Sequence, residues 1–305
     1  MKVFLTGATG FLGYNIATEC VNKGCQLLCL RRNNSVSRFP SSIERKLQWI
    51  TEGEESWQEV ITSFKPDVLI HAAWKGVDDT GRNSEDIQQA NVEMTQNIMT
   101  LAPFKQIIML GSQDEYGKID HKTSENAPLH PLSEYAKAKI HCCKLLQQYC
   151  NDHIEWQWIR IFSVFGSKQR PMWLIPSVIH KCLNNDPFME TTPGEQVYSY
   201  LYSSDFAKAI TSIIGRKGKS GIYNLSSEKA VRLCDLFELI KRLTGSSIEF
   251  RKTIPYRDNQ SMVILGDTSK FIQAFGNFEK TSLEDGLRMT IEEIRNDESP
   301  TTTIS

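Results

Sequence analysis

Thr6-Gly7-Ala8-Thr9-Gly10-Phe11-Leu12-Gly13 follows directly on the apolar run 2–6 and opens a helical pattern that starts at Phe11. An apolar strand, a glycine-rich turn and a helix in immediate succession form the context that a dinucleotide-binding fingerprint requires. Each glycine has a reason to be there. One permits the tight turn, one lets the backbone approach a pyrophosphate, and one allows helix and strand to pack closely, while the helix N-terminus attracts the phosphate charge. Thr6, Gly7, Thr9, Gly10, Phe11, Leu12 and Gly13 are therefore the expected cofactor contacts.

Outward from this loop, short apolar runs at 2–6, 26–31, 47–50, 68–72, 106–112 and 156–162 alternate with amphipathic stretches at 11–23, 57–64, 86–101 and 133–150. That alternation predicts βαβ units and an α/β fold, a doubly wound parallel sheet of the Rossmann type. After Gly166 the rhythm breaks into shorter elements punctuated by Pro and Gly, including a strand pattern at 221–225 and a helix pattern at 233–244. The expected organisation is a nucleotide-binding domain over 1–166 and a smaller C-terminal α+β substrate domain over 167–305, with 197–217 returning to the first. The tail from Asn296, ending Ser-Pro-Thr-Thr-Thr-Ile-Ser, has no periodicity and is expected to be disordered.

Composition narrows the function classes. The 305 residues carry 35 Lys and Arg against 36 Asp and Glu, a balance that argues against nucleic acid as a partner. The eight Cys have no paired zinc spacing, so no metal site is expected, and they read as reduced thiols. Neither a signal peptide nor an apolar run of membrane-spanning length is present, and the expected location is the cytoplasm, with no membrane partner.

The second strand ends in Arg31-Arg32, Lys23 lies shortly before it, and no acidic residue occurs between Glu19 and Glu44. A carboxylate for the adenosine ribose of NAD has no source in this stretch, whereas Arg accommodates a 2′-phosphate. NADPH is the expected cofactor and NADH the alternative, in which case the two arginines are solvated surface residues. Tyr135 and Lys139 lie four apart on a predicted helix, hence on one face. A nearby ammonium stabilises phenolate, so the pair suits general acid/base work. Ser112 stands at the C-terminal end of a strand, where ligands of open α/β folds lie, and its hydroxyl suits a carbonyl oxygen.

Together with His71-Ala72-Ala73, Asn91, the segment Gly111 to Gly117 and Tyr135-Ala136-Lys137-Ala138-Lys139, the glycine-rich loop resembles the extended short-chain dehydrogenase/reductases that act on nucleotide sugars. The similarity extends to Arg160 to Gly166, Gly194 to Asp205 and Tyr256-Arg257-Asp258. It implies Tyr135 as acid/base, Lys139 on the nicotinamide ribose and Ser112 on the reacting carbonyl. It also implies His71, Ala72, Ala73 and Asn91 beside the cofactor, and Gln113, Asp114 and Arg257 beside the substrate. For His71 and Asn91 a packing role is the alternative.

Dehydratases of this family carry Asp-Glu after the Ser or Thr; here the pair is Gln113-Asp114, and Gln cannot serve as the leaving-group acid. The resemblance is closest to small 4-ketoreductases of bacterial deoxysugar pathways, of the CDP-abequose synthase and dTDP-4-dehydro-6-deoxyglucose reductase types. The expected reaction is NAD(P)H-dependent reduction of an NDP-4-keto-6-deoxyhexose, as in O-antigen biosynthesis. A nucleotide-sugar 4-epimerase and a non-catalytic NADPH-binding regulator are the alternatives. The sequence departs from the family pattern at Tyr198, where an Arg is usual, and at Ser163, where an Asn is common; Lys168 or Arg170 is the candidate replacement charge. The resemblance further implies a homodimer packed through 86–101 and 133–150.

Overall fold

The computed structural model describes residues 1–78, 80–150, 153–166 and 168–298. In its first half β1 (Lys2–Thr6), α1 (Phe11–Asn22), β2 (Gln26–Arg31), α2 (Ser41–Glu44), β3 (Leu47–Thr51), α3 (Trp57–Phe64), β4 (Val68–His71), α4 (Glu85–Thr100), β5 (Gln106–Ser112), α5 (Glu134–Tyr149) and β6 (Glu155–Ile161) alternate. There follow β7 (Val164–Phe165), α6 (Leu174–Leu183), β8 (Phe188–Glu190), β9 (Val197–Ser199), β10 (Leu201–Tyr202), α7 (Ser203–Ile213) and β11 (Gly221–Leu225). The chain then forms β12 (Ala230–Arg232), α8 (Leu233–Thr244), β13 (Glu249–Arg251), β14 (Val263–Ile264), α9 (Ser269–Phe275) and α10 (Leu283–Glu298).

The central sheet has seven strands in the order β11-β6-β5-β4-β1-β2-β3, all paired in parallel. Helices cover both faces, which is why its strands read as nearly unbroken apolar runs. In β1, Val3 and Leu5 enter the core shared with α1 and α7, while Phe4 between them enters the core shared with α4 and α5. Each such side chain contributes roughly 1.5–3 kcal/mol by leaving water. The strand order reverses between β1 and β4, and the crevice beyond their C-terminal ends is where open α/β sheets bind ligands.

The chain after 166 is shared between two cores. Helix α7 packs on α1 through Phe206, Ala209, Ile210 and Ile213. Gly221–Leu225, read with the second half from its sequence, is the edge strand beside β6, and α9 joins the same core through Phe271 and Phe275. Buried Gln106 ties these returns down: its amide donates to Gln157 Oε1 (2.8 Å) and Ile213 O (3.0 Å), and its oxygen accepts from Gly215 N (2.8 Å). Short strand patterns carry no signal of which sheet they join, so only the tertiary pairing places them. A second core gathers α6, α8 and α10 around Val178, Ile179, Leu236, Phe237, Ile240, Leu287 and Ile291.

Helix α10 runs to Glu298, so the start of the expected disordered tail at 296 is corrected; the rest of that tail lies outside the described residues. Ser133 and Cys150 cap α5 and lie outside it, and β4 ends at His71. The apolar residues of α4 and α5, among them Val92, Ile98, Met99, Cys142 and Leu146, pack toward the sheet, and their exposed positions are largely polar. Among the described residues no helix is long and apolar enough to cross a membrane.

Candidate active site

The turn between β1 and α1 leaves no room for side chains. Gly7 has φ +78°, and a Cβ there would stand 2.6 Å from Ala73 N; one on Gly13 would stand 2.1 Å from Gly7 O. Gly10 caps α1 without a side-chain hydrogen bond, so the first-turn N–H groups point from the helix end without a capping side chain. A bare backbone cradle at the N-terminus of a 12-residue helix fits the pyrophosphate of a dinucleotide. The loop is anchored from below, since Thr6 Oγ1 accepts from Ala73 N (3.2 Å) and bonds His71 Nδ1 (2.8 Å).

His71 and Asn91 are buried and engaged with protein. His71 Nε2 faces Thr95 Oγ1 at 3.2 Å, and the Thr95 hydroxyl itself donates to Asn91 O, so His71 carries its proton on Nε2 and accepts from Thr6 at Nδ1. Burial, with Lys139 nearby, depresses its pKa to about 3, and the ring is neutral. Asn91 holds the segment after β4, accepting from Lys75 N and donating to Lys75 O, both at 3.0 Å.

Ser112 closes β5, and Tyr135 and Lys139 stand one turn apart on α5; all three are buried and meet at one place. Helix α5 begins where Ser133 Oγ accepts from Ala136 N (3.2 Å), which sets Tyr135 in its first turn. Burial raises the Tyr135 pKa, and the nearby Ser112 hydroxyl and the Arg82 charge pull it back down. Lys139 Nζ donates to Leu110 O (2.7 Å) and lies 3.4 Å from the centre of the Trp74 ring. Burial lowers its pKa to about 7.

The turn Gln113–Tyr116 after β5 is fixed by Glu115, which is fully buried. Its carboxylate accepts from Ser112 N (2.9 Å), Trp158 Nε1 (3.0 Å) and Arg160 Nε (2.8 Å). Position 111 must be Gly for this, because a Cβ there would stand 2.3 Å from Trp158 Nε1 and 2.6 Å from Glu115 Oε1. Gln113 Nε2 and Arg82 engage the two carboxylate oxygens of Asp114.

A cleft of about 690 Å³ opens over these residues. One wall is Gln113, Asp114, Ser133 and the connection carrying Arg82; the other comes from the second half, with Arg170, Trp173, Arg257 and Gln260. Arg257 lines the cleft, and Arg170 approaches Asp78 at 3.8 Å. Lys168 instead turns to Glu293 and Asp297, each at 2.9 Å. Tyr198, in the place of the usual Arg, donates to Ser261 O (2.9 Å) and accepts from Gln260. It therefore braces the loop that carries Arg257.

Near the glycine-rich turn, the Arg31 guanidinium lies 5.4 Å from the Trp49 ring centre, and Arg32 is exposed. The first acid after β2, Glu44, accepts from Trp49 Nε1 (2.9 Å) and Ser37 (2.5 Å). Lys23 does not join this basic spot: it lies at the opposite end of α1, on Thr211 (2.8 Å) and Glu19 (3.9 Å). Sequence reasoning missed Arg38, whose guanidinium spans Thr9 O (3.1 Å) and Lys168 O (3.2 Å) across the mouth of the crevice. The acid-free stretch 20–43 contains it, and that was the available signal. Arg82 and Trp74 were also missed, and neither belongs to a local pattern.

The model of the NAD dependent epimerase/dehydratase family matches residues 3–226. CDP-abequose synthase from Salmonella muenchen is 25% identical over 296 residues, covering 94% of this chain and 96% of that protein. Two solved structures share the fold throughout. A UDP-glucose 4-epimerase from Thermotoga maritima, solved with UDP-glucose, has TM-score 0.84 at 20% identity, covering 97% of this chain and 99% of the other. A UDP-glucuronic acid 4-epimerase from Bacillus cereus, solved with UDP-glucuronic acid and NAD, has TM-score 0.82 at 21% identity with the same coverage.

Proposed function

The chain belongs to the NAD dependent epimerase/dehydratase family, and from that premise we propose that it is an NADPH-dependent reductase of the C4 keto group of a nucleotide-linked 4-keto-6-deoxyhexose, working in deoxysugar and O-antigen biosynthesis. The observation that carries this reading is the set of proton-handling groups at and beside the cleft. Ser112 and Tyr135 lie buried just behind its lining residues Gln113 and Arg82. The position of a leaving-group acid is filled by Gln113, and both oxygens of Asp114 are already engaged. Tyr135 is left as the group that moves a proton to or from a substrate oxygen.

A bound nicotinamide cofactor supplies the hydride in such chemistry. Gly7 to Gly13 would hold its pyrophosphate, and Arg31 and Arg32 its 2′-phosphate. In the protein's own part of the step, the Ser112 hydroxyl holds the keto oxygen and Tyr135 donates its proton as that oxygen becomes an alcohol. The phenolate left behind is favoured by the Ser112 hydroxyl and by the cations Arg82 and Lys139. Arg257, and Arg170 across the cleft, would meet the diphosphate of the substrate.

Oxidation of NADPH in the presence of dTDP-, CDP-, GDP- or UDP-4-keto-6-deoxyhexoses tests the reading. Turnover of at least one is expected, with Tyr135→Phe slower by about 10²–10⁴. No turnover of any of them, or full turnover by Tyr135→Phe, overturns it. NAD released on denaturation, with interconversion of two nucleotide hexoses and no added reductant, would identify a 4-epimerase instead. NADPH is expected to bind more tightly than NADH, and equal dissociation constants would remove the 2′-phosphate role of Arg31 and Arg32.

A further inference from the structure

Arg82 comes from the connection between β4 and α4 and makes contacts that no spacing in the sequence announces. Its guanidinium carbon lies 4.8 Å from the centre of the Tyr135 ring, and its backbone oxygen accepts from Tyr135 N at 2.9 Å. Its guanidinium pairs with Asp114 and donates to Val77 O at 3.3 Å. Trp74 meets the same tyrosine ring edge-on, centroids 5.9 Å apart and planes at 88°. The connection carrying both residues is pinned by buried Gln88, whose amide donates to Gly76 O (3.0 Å) and Gly81 O (2.9 Å) and whose oxygen accepts from Trp74 Nε1 (2.9 Å).

We infer that Arg82 is a positioning residue for proton transfer at Tyr135: it holds one face of the ring, presents a permanent positive charge to the phenol, and keeps Asp114 out of proton chemistry. The inference rests on the reading of Tyr135 as acid/base. Charged groups reach this tyrosine from every element around it. Lys139 approaches on α5, with its Nζ 5.7 Å from the Tyr135 ring centre. Asp114 and Glu115 lie on the turn after β5, and Glu115 is neutralised by Arg160 of β6. His71 of β4 is uncharged above pH about 3 and faces Lys139.

Above neutral pH Lys139 loses its proton easily, because burial has brought its pKa to about 7. A guanidinium stays charged throughout the accessible range. In that range Arg82 is therefore the dependable cation at the phenol. Removing it takes away a charge that favours phenolate and frees the Asp114 carboxylate, which disfavours it. Both effects push the Tyr135 pKa upward.

The test follows the ionisation of Tyr135 by NMR in the full chain labelled with ¹³Cζ-tyrosine, its signal assigned by its loss in Tyr135→Phe. Arg82→Gln is expected to raise the midpoint by about 1 pH unit or more, and Arg82→Lys to keep most of the wild-type value. Thermal unfolding monitored in parallel establishes that both variants are folded; Arg82 is 29% exposed, and a surface-accessible substitution is expected to fold. An unchanged midpoint in folded Arg82→Gln, or no titration of Tyr135 in either protein, overturns the inference. This readout needs no substrate, so failure of every nucleotide sugar to turn over would defeat the proposed reaction and leave the role of Arg82 standing. Where a sugar is reduced, the alkaline limb of kcat must move to higher pH in Arg82→Gln, because the proton donor is then retained longer. A uniform fall in kcat with no movement of that limb marks a merely structural residue and also overturns the inference.

Discussion

Two buried cations flank the end of β5, and their surroundings differ. Arg160 on β6 meets Glu115 at 2.8 Å, donates to the Tyr116 hydroxyl at 2.9 Å and stacks 4.7 Å from the Tyr116 ring centre. Lys139 on α5 has a peptide oxygen and the face of an indole, but no hydrogen-bonded carboxylate among the described residues. The guanidinium pair is complete and holds the turn that positions Ser112. The ammonium is underpaired and its pKa is displaced to about 7. Complete pairing marks a buried charge as architecture, whereas incomplete pairing leaves a charge state poised to change.

The largest expected effect falls on the complete pair. Glu115→Ala strands the Arg160 guanidinium and two further donors, and is expected to cost about 3–5 kcal/mol of stability. The urea midpoint measures it, and a loss under about 1 kcal/mol would break the contrast. Lys139→Met should move the other way, gaining about 1–4 kcal/mol because a buried charge without a carboxylate is replaced by apolar volume. If Lys139→Met lost as much stability as Glu115→Ala, the two cations would be equivalent after all.

Their pH dependence sharpens the same point. Lys139 has a folded pKa of about 7 against an ordinary 10.5. Between these values the unfolded chain binds more protons than the folded one, so the stability of the wild type relative to Lys139→Met rises with pH. It does so by about 1 kcal/mol per pH unit, and is flat below pH about 7. Denaturant titrations of both proteins at a series of pH values from neutrality upward would show it, and parallel curves would contradict the depressed pKa. The smallest effect concerns the far wall of the cleft. Tyr198→Phe removes the hydroxyl that ties the Arg257 loop and should cost about 1 kcal/mol. A several-fold rise in KM with kcat retained is its kinetic counterpart; unchanged KM would detach Tyr198 from substrate binding.

Much of the first half was legible from local pattern. The apolar runs placed the first six strands within a residue or so of their observed bounds, because a parallel strand buried on both faces has a composition of its own. The second half was less legible. Strands as short as β9 and β14 are defined by their partners, and β11 joins β6 only after a long excursion of the chain. The resemblance singled out His71 and Asn91, but their hydrogen bonds to Thr6 and Lys75 are tertiary contacts that the sequence does not announce.

By itself the sequence determined the strand, glycine turn and helix at Thr6 to Gly13, and the common face of Tyr135 and Lys139 one helical turn apart. Both depend on contacts between near neighbours, whose geometry follows from backbone sterics and helical pitch. The tertiary structure alone decided that Glu115 meets Arg160, 45 residues along the chain, that Lys139 is stripped of water, and that Arg82 reaches Asp114 and the Tyr135 ring. Charge states in a site depend on burial and on groups brought from distant segments, and no spacing along the chain encodes either.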